Sequence, residues 1–364
     1  MELTTFWFII IGVLWTGYFV LEGFDFGVGM LLPVLGKGKA EATGVTDPVT
    51  DHIGENERRR RVMLNTIGPV WDGNEVWVLT AGGATFAAFP NWYATLFSGA
   101  YLPLLLILVA LIVRNMGFEY RHKRDSEAWR KGWDYCIIGG SLVAPLLVGA
   151  ALTNLVYGLK MEEHMSGQTA YTEYTGSLFS LLNPVSLLGG ITIVALCITH
   201  GAHFIALKTM GAMHDRARKT SARLGWTATV IALVWALMFN IMYVTDDGRQ
   251  ALTWAFCLLV VVLLAAGSAV VDKGREGLAF LCTGLGIALM IVACMVAMYG
   301  NLGYRPSGIP FDMWIAAATP MTLKIMTISA CVFVPIVLAY QIWSYWVFRK
   351  RLTREAIPDT AVAA

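Results

Sequence analysis

The chain has 364 residues, of which 57% are hydrophobic and only 14% are charged. Soluble globular domains carry roughly 45–50% apolar and about 25% charged residues, so this composition excludes an ordinary water-soluble protein. A net charge of +2 gives no basic surface for nucleic-acid binding, and no nucleic-acid partner is expected. The six cysteines form no Cys-x-x-Cys pair, which argues against zinc, iron–sulfur and disulfide-scaffold proteins. We therefore expect an integral membrane protein in a lipid bilayer.

Nine apolar segments, bounded by charge clusters or helix-breaking residues, follow one another along the chain. They cover residues 6–35, 62–89, 91–117, 133–159, 184–207, 224–245, 250–271, 277–299 and 318–348. This pattern predicts an all-α membrane protein with nine transmembrane helices, arranged as two four-helix bundles and one peripheral helix. We assign 1–160 to the first bundle, 161–183 to an outer loop, 184–300 to the second bundle, and 301–364 to the ninth helix and a cytoplasmic tail.

Basic residues are concentrated in every second connection between these segments. The connections 36–61, 121–131, 208–223 and 273–275 and the tail from 349 hold 22 of the 27 Lys and Arg residues, whereas Lys160, Arg249 and Arg305 lie in the other loops. Cytoplasmic loops are enriched in Lys and Arg. The alternation predicts an outside N-terminus and a cytoplasmic C-terminus. Because no basic residue precedes the first apolar run, we expect a transmembrane helix there and not a cleaved signal peptide.

Acidic residues occur within or at the ends of the first four predicted helices. They are Glu22, Asp25, Asp72, Glu75, Glu119 and Asp134. An ionisable side chain at membrane depth costs at least about 2.5–3.5 kcal/mol, so each is a functional candidate. The i, i+3 spacing of the first two pairs puts each pair on one helix face. Together these acids predict a proton path from the cytoplasm into the first bundle, because intramembrane carboxyls are the usual proton relay.

A structural role is the alternative for each acid. Arg114, Asn65, Asn74 or a free backbone group could bind the carboxylates and merely fix helix packing. In the first helix, Gly23 and Gly27 have the spacing that lets helices approach closely. In the second, Trp71 and Trp77 lie too deep for an interfacial aromatic belt and are expected to face another helix or an apolar conduit.

Two histidines, His200 and His203, lie at membrane depth as i, i+3 neighbours. Two axial haem ligands normally approach the ring from opposite sides, so hydrogen bonding within the second bundle is favoured over haem or metal ligation, and no metal site is predicted. Lys324 has no evident partner along the chain. The nucleotide-binding, zinc-protease and serine-hydrolase motifs do not occur, so nothing indicates self-contained catalysis.

The stretches LEGFDFGVGMLLP (21–33), NTIGPVWDGNEVWVLTAGGATFAAFP (65–90) and RNMGFEYR (114–121) resemble subunit II of cytochrome bd-type quinol oxidases. WRKGWDY (129–135), LLNPVSLLGG (181–190) and the last helix extend the resemblance over nearly the whole chain. The WDGN-x-x-W element followed by TAGG is the most specific part.

The resemblance implies a subunit of a quinol:oxygen oxidoreductase, a terminal oxidase of the bacterial inner (cytoplasmic) membrane and its respiratory chain. The haem-bearing subunit I would be the partner, with quinol as its substrate and haems b and d as its cofactors, so this chain would bind no haem and would not be catalytic alone. The resemblance leaves open a structural quinone and a small single-helix accessory subunit.

The resemblance also implies roles for single residues. It places Asp72 on a proton path and Trp77 at the start of an oxygen channel. It also matches Asp25 and Asp134 to the acids of a cation or structural polar site, and Glu119 to a position where the family often has an acid. We add Glu75 to the path, with Trp71, Asn74 and Arg114 as the structural residues around it. Our hypothesis is that cytoplasmic protons pass these acids to the partner's haem.

Two other functions are weighed against this hypothesis. A proton-coupled secondary transporter could use the same carboxylates, but it would show broken helices and inverted repeats. The haem-bearing subunit itself is the second alternative, and the absorption spectrum of the isolated chain would identify it.

Overall fold

The computed structural model describes residues 2–38, 54–159, 161–166, 169–174, 181–244, 247–302 and 312–353. Its helices are α1 (Leu3–Leu35), α2 (Glu55–Ile67), α3 (Trp71–Ala88), α4 (Pro90–Gly99), α5 (Tyr101–Tyr120), α6 (Glu127–Tyr157), α7 (Pro184–Lys208), α8 (Gly211–Met238, continued by a π-turn Phe239–Tyr243), α9 (Asp247–Val271), α10 (Glu276–Met298), α11 (Met313–Ala316) and α12 (Pro320–Val347). Residues 39–53 of the first loop and 354–364 of the predicted tail lie outside the described residues.

Local sequence signals set where several of these helices begin. Ser126, Asn183 and Thr319 each accept a hydrogen bond from a backbone N–H in the first turn of α6, α7 and α12. Such caps satisfy donors that the helix leaves free. Pro184 and Pro320 follow two of these caps at the first helical position, where the missing N–H costs nothing.

The predicted second helix, 62–89, is divided into α2 and α3. Pro69 explains the division, since it has no N–H to donate and its ring would clash with the carbonyl of Asn65 in a continuous helix. The predicted third helix divides similarly into α4 and α5 at Ala100, which lies one turn before Pro103. Within the described residues, eight helices are long and apolar enough to span a membrane. The predicted second helix is the one missing from the expected nine, because its two halves are too short or too polar.

The predicted outer loop departs from the expected all-α architecture. A β-hairpin there pairs β1 (Met161–Ser166) with antiparallel β2 (Thr169–Tyr174), with Met161 opposite Tyr174. Residues 167–168 and 175–180 of the loop lie outside the described part of the chain. Apart from this hairpin, the secondary-structure elements of the described residues are helices.

Contacts between chain segments place the basic connections at one end of the molecule. Arg216 at the start of α8 donates to the Val34 carbonyl at the end of α1, at 2.9 Å. Lys208 at the end of α7 donates to the Phe348 carbonyl at the end of α12. At the opposite end, the Trp314 indole donates to Glu2 at 2.8 Å. These contacts bring the first and third basic connections and the segment after α12 together at one end of the described chain.

Helix α1 lies at the centre of the packing and contacts α3, α6, α7 and α10. Its closest approach is to α7, where Gly27 meets Gly201. A Cβ added to Gly27 would overlap the Cys197 carbonyl oxygen and would lie 2.7 Å from the Gly201 Cα. The expected close approach at Gly27 is confirmed, and it holds the buried polar face of α1 in a fixed position.

Helix α12 lies at the periphery, as expected for the ninth helix. Leu323 is the one buried residue that α12 contributes within the described chain, and residues such as Phe333, Ile336 and Trp343 are exposed along it. The Trp7 indole donates to the Leu323 carbonyl at 3.2 Å, which holds the outer half of the helix. An apolar surface of this kind is suited to lipid or to another membrane protein.

Candidate functional site

The centre of the site is Arg114, a fully buried arginine on α5. Its Nη1 lies 2.5 Å from the Oε1 of Glu22 on α1 and 3.2 Å from the Oε2 of Glu75 on α3. Glu22 is also fully buried, and the Glu75 side chain is 13% exposed. Because a buried charge is stable only when it is paired, the guanidinium joins three helices at this point.

Other groups on neighbouring helices fix the guanidinium in place. Its Nε donates to the Ser141 hydroxyl on α6 at 3.2 Å. The guanidinium carbon lies 4.6 Å from the Phe26 ring centroid and 4.9 Å from that of Phe118, within the range of cation–π attraction. The arginine predicted as a structural residue therefore contacts residues of four helices.

Asp25 lies one turn of α1 beyond Glu22 and is fully buried. The Asn74 side-chain amide on α3 donates to its Oδ2 at 2.7 Å. Asn74 in turn accepts a hydrogen bond of 2.7 Å from the Tyr345 hydroxyl on α12. The structure thus brings Asp25 together with Asn74, one of the residues predicted to lie around the path.

Asp72 is exposed on α3, and Glu119 is exposed near the end of α5. Neither is joined to Asp25 or Arg114 by a hydrogen bond or ion pair within the described residues. Asp72 and Glu75 are three residues apart, yet Glu75 turns towards Arg114 while Asp72 turns outwards. Within the described residues, the predicted path therefore has no direct hydrogen bond or ion pair that links Asp25 to Asp72.

Asp134 belongs to a separate group of charges at the basic end of the molecule. Its carboxylate accepts from the Arg121 Nε at 2.6 Å and lies 3.2 Å from an Nη1 atom of Arg60. Arg121 also binds both carboxylate oxygens of Glu57, each at 2.7 Å. We name Glu57, Arg60, Arg121 and Asp134 the end cluster. Its acids are fully paired, so the structural alternative describes Asp134 well.

Electrostatics within the end cluster follow from this pairing. Burial alone would raise the pKa of Glu57, but hydrogen bonds and charge from Arg121 and Arg61 outweigh burial and lower it. Burial alone would lower the pKa of Arg121, but Glu57 and Asp134 outweigh it and raise that pKa. Glu57 and Arg121 therefore both stay ionised near neutral pH.

The two tryptophans face neighbouring helices, as expected. The Trp71 ring centroid lies 5.1 Å from that of Phe118 on α5. Trp77 packs against Gly17 of α1, where an added Cβ would overlap the indole, and its Nε1 donates to Gln341 of α12 at 3.0 Å. Trp77 on α3 therefore contacts both α1 and α12.

The two buried histidines both form hydrogen bonds with α10, and His200 also reaches α1. The His200 Nδ1 lies 2.8 Å from the Thr283 hydroxyl on α10 and its Nε2 lies 3.2 Å from the Val20 carbonyl. The His203 Nδ1 lies 3.4 Å from the same hydroxyl. The predicted hydrogen bonding is confirmed, and the described residues hold no group of three His, Cys, Asp or Glu side chains that could bind a metal.

Sequence reasoning missed Glu57, Gln341 and Tyr345. Glu57 precedes a run of four arginines, so it was read as part of a polar loop. The residues Gln341 and Tyr345 stand i, i+4 on an apolar helix, and this polar stripe was the signal that could have identified a helix face directed at the first bundle.

Residues 3–348 match the family described as cytochrome bd terminal oxidase subunit II. The chain is 38% identical over 353 residues to cytochrome bd ubiquinol oxidase subunit 2 of Bacillus subtilis, covering 96% of each chain. It is 35% identical over 387 residues to cytochrome bd-I ubiquinol oxidase subunit 2 of Escherichia coli, covering 96% of this chain and 95% of that one. A chain of the bd oxidase structure from Geobacillus thermodenitrificans superposes with a TM-score of 0.72 at 16% identity, covering 95% of this chain and 97% of the other, which shows a shared fold.

Proposed function

This chain belongs to the cytochrome bd terminal oxidase subunit II family, and from that premise we propose that it carries protons from the cytoplasm towards a haem-bearing partner subunit. Membership makes it one subunit of a terminal oxidase complex and a multi-pass membrane protein. The observation that carries the proposal is a group of three carboxylates around Arg114, of which Glu22 and Asp25 are fully buried and Glu75 is partly buried. We name these three acids and Arg114 the acid cluster.

Charge balance within the acid cluster supports proton storage. With every group ionised, three carboxylates and one guanidinium leave two negative charges unbalanced inside the membrane. One unbalanced charge at that depth costs at least about 2.5–3.5 kcal/mol, and a protonated carboxyl avoids the cost. A cluster that binds a proton for this reason can also pass it on when a neighbour changes charge. This is the chemistry that an intramembrane relay requires.

Asp72 fits this proposal as the residue that faces the partner. A charged side chain directed at lipid is costly, so an exposed aspartate in the membrane-spanning part requires a protein or water neighbour. We propose that subunit I covers the α3 surface around Asp72. The acid cluster would then be joined across the interface to the partner's oxygen-reducing haem. Glu119, also exposed, would lie at the cytoplasmic entrance of the same route.

The paired acids of the end cluster fit a supporting role. Asp134 binds two arginines, so a proton on its carboxyl would break both ion pairs. We therefore propose that the end cluster holds α2, α5 and α6 together beside the route.

Haem chemistry is proposed for the partner and not for this chain. His200 and His203 both bind Thr283, and the His200 ring stacks on Phe280 with centroids 4.2 Å apart. His200 uses both of its ring nitrogens in hydrogen bonds and His203 uses its Nδ1, which supports structural roles for the two rings. We propose that haems b and d and the quinol substrate are bound by subunit I, in the inner membrane of a bacterium.

An oxygen channel beginning at Trp77 is a second and separate role. The indole fills the space that Gly17 leaves free on α1, so bulk at Gly17 would push it aside. We expect Gly17→Ala to raise the oxygen KM of the assembled oxidase while turnover at saturating oxygen is retained. An unchanged oxygen KM would separate Trp77 from oxygen delivery.

The proton route is tested in the assembled oxidase by the substitution Asp25→Asn. We expect quinol-driven oxygen consumption to fall by roughly tenfold or more, which corresponds to about 1.4 kcal/mol in the barrier. Haem spectra should keep their wild-type form. Asp125→Asn is the matched control, because Asp125 is an exposed surface acid bound to Arg130. Undiminished turnover in Asp25→Asn would refute the route.

A proton-coupled transporter remains the alternative function. The division between α2 and α3 resembles the broken helices of transporters, but family membership over nearly the whole chain favours the oxidase. Proton-coupled solute uptake by vesicles that contain this chain without subunit I would favour the transporter.

A further inference from the structure

We infer that Tyr345 on α12 is a positioning residue that fixes the side-chain amide of Asn74 so that its NH2 group, and not its oxygen, faces Asp25. The inference rests on the proposed proton route and adds to it the peripheral helix, to which the route assigns no part. It assigns to α12 the task of setting how readily Asp25 gives up a proton.

The hydrogen bonds around Asn74 fix which end of its side-chain amide faces Asp25. Its Oδ1 accepts from the Tyr345 hydroxyl at 2.7 Å and faces the Gln341 Nε2 at 3.4 Å. Its Nδ2 donates to the Asp25 Oδ2 at 2.7 Å and faces the Leu21 carbonyl at 3.4 Å. An amide oxygen only accepts and an amide NH2 only donates, so this orientation satisfies every partner.

The orientation is determined by the indole of Trp77. An indole N–H can donate but cannot accept. It donates to the Gln341 Oε1 at 3.0 Å, so the Gln341 NH2 must be the group that faces Asn74. Two donors, from Gln341 and Tyr345, then face the Asn74 oxygen. The chain of hydrogen bonds from Trp77 therefore leaves the Asn74 NH2 directed at Asp25.

This orientation has a chemical consequence for Asp25. An NH2 group stabilises a negative carboxylate oxygen and cannot accept a proton from it. A proton on Asp25 is therefore directed to Oδ1, away from Asn74. If the Asn74 amide rotated, its oxygen would face Asp25 and would stabilise the protonated carboxyl instead. Tyr345 makes the shorter of the two hydrogen bonds that oppose this rotation.

The other titratable or charged groups that interact with Asp25 lie on α1, α3, α5 and α12. Glu22 lies on the same helix, Glu75 on α3 and Arg114 on α5, and Tyr345 itself is the titratable group that α12 presents. Replacing Tyr345 with phenylalanine leaves the first three unchanged. It removes a single hydroxyl, so a change in proton binding would report the amide orientation.

The test uses Tyr345→Phe in the assembled oxidase, with Tyr340→Phe as the matched control because Tyr340 is 66% exposed on the same helix. We expect the acidic limb of the pH–turnover profile to move to higher pH by about one unit, the size expected for one hydrogen bond to a charged group. The infrared band of the protonated Asp25 carboxyl, identified by its loss in Asp25→Asn, should shift in Tyr345→Phe. Tyr340→Phe should match the wild type in both measurements.

Each outcome decides one of the two proposals. If Asp25→Asn keeps full turnover, the proton route is refuted. If Asp25→Asn is impaired but Tyr345→Phe has the wild-type profile and carboxyl band, the route stands and the positioning role is refuted. A turnover that falls equally at every pH with an unchanged band would show a purely structural role and would also overturn it. Should Tyr345→Phe fail to assemble, Trp77→Phe removes the indole donor and must shift the same band.

Discussion

Arg114→Leu is the substitution that tests the acid cluster most directly. It removes the cation that lies 2.5 Å from Glu22 and 3.2 Å from Glu75 and leaves both carboxylates buried without it. Breaking a buried pair by removing one partner costs about 3–5 kcal/mol. Protonating one carboxyl of ordinary pKa at pH 7 costs about 4 kcal/mol, so protonation limits the loss to about that value.

The pH dependence of this loss is part of the prediction. The folded variant would hold a proton that its unfolded chain releases, so the deficit shrinks as the pH falls and reaches roughly 2 kcal/mol near pH 5.5. Thermal unfolding of the purified complex in lipid nanodiscs at several pH values measures it. The matched variant Glu22→Gln keeps the Arg114–Glu75 pair and should lose far less. A deficit for Arg114→Leu below about 1 kcal/mol, or one independent of pH, would refute the reasoning.

Three further predictions concern helix packing and the basic end of the molecule. Gly27→Val should abolish assembly because its side chain would meet the backbone of α7, whereas Gly23→Ala, whose Cβ would lie 3.5 Å from the nearest sulfur, should assemble and be seen by gel filtration. Arg121 helps to lower the folded-state pKa of Glu57, so ionised Glu57 stabilises the fold above its unfolded-state pKa and this stabilisation is lost on acidification. Arg121→Gln should remove that contribution. The unfolding free energies of wild type and variant should then differ less at low pH than at pH 7. Lys208→Met should loosen the end of α12, since it removes the donor to two carbonyls there, and faster hydrogen exchange of that segment would show it.

The positions of most helices could be predicted because a bilayer leaves a strong local signal, a run of about 20 apolar residues. The predicted helix 318–348 and the observed α12 differ by two residues at the start and one at the end. The prediction of one continuous helix over 62–89 was wrong because hydropathy is averaged across Pro69, whereas the hydrogen bonds of an α-helix cannot continue through a proline. Local composition therefore locates a membrane helix but does not show where it breaks.

The acid cluster was partly predictable for a similar reason. The sequence identifies Glu22, Asp25, Glu75 and Arg114 as costly at membrane depth, but it does not show which helices meet. Spacing alone placed Asp72 and Glu75 on one side of α3, and their observed directions differ. Tyr345 contacts Asn74 across 271 residues of chain, so the i, i+4 spacing of Gln341 and Tyr345 indicates a polar helix face but does not identify Asn74 as its partner.

The separation of the two charged groups explains why the chain needs both. In the end cluster each acid has an arginine partner, so its charges are balanced and a proton gains nothing by binding there. In the acid cluster the carboxylates outnumber the cation, so a bound proton relieves an imbalance that water does not screen. A proton entering from the basic end would therefore move past balanced pairs towards the unbalanced group. The excess of carboxylates over arginine, more than the number of acids along the helices, is the feature on which we base the proposal that the acid cluster holds a proton.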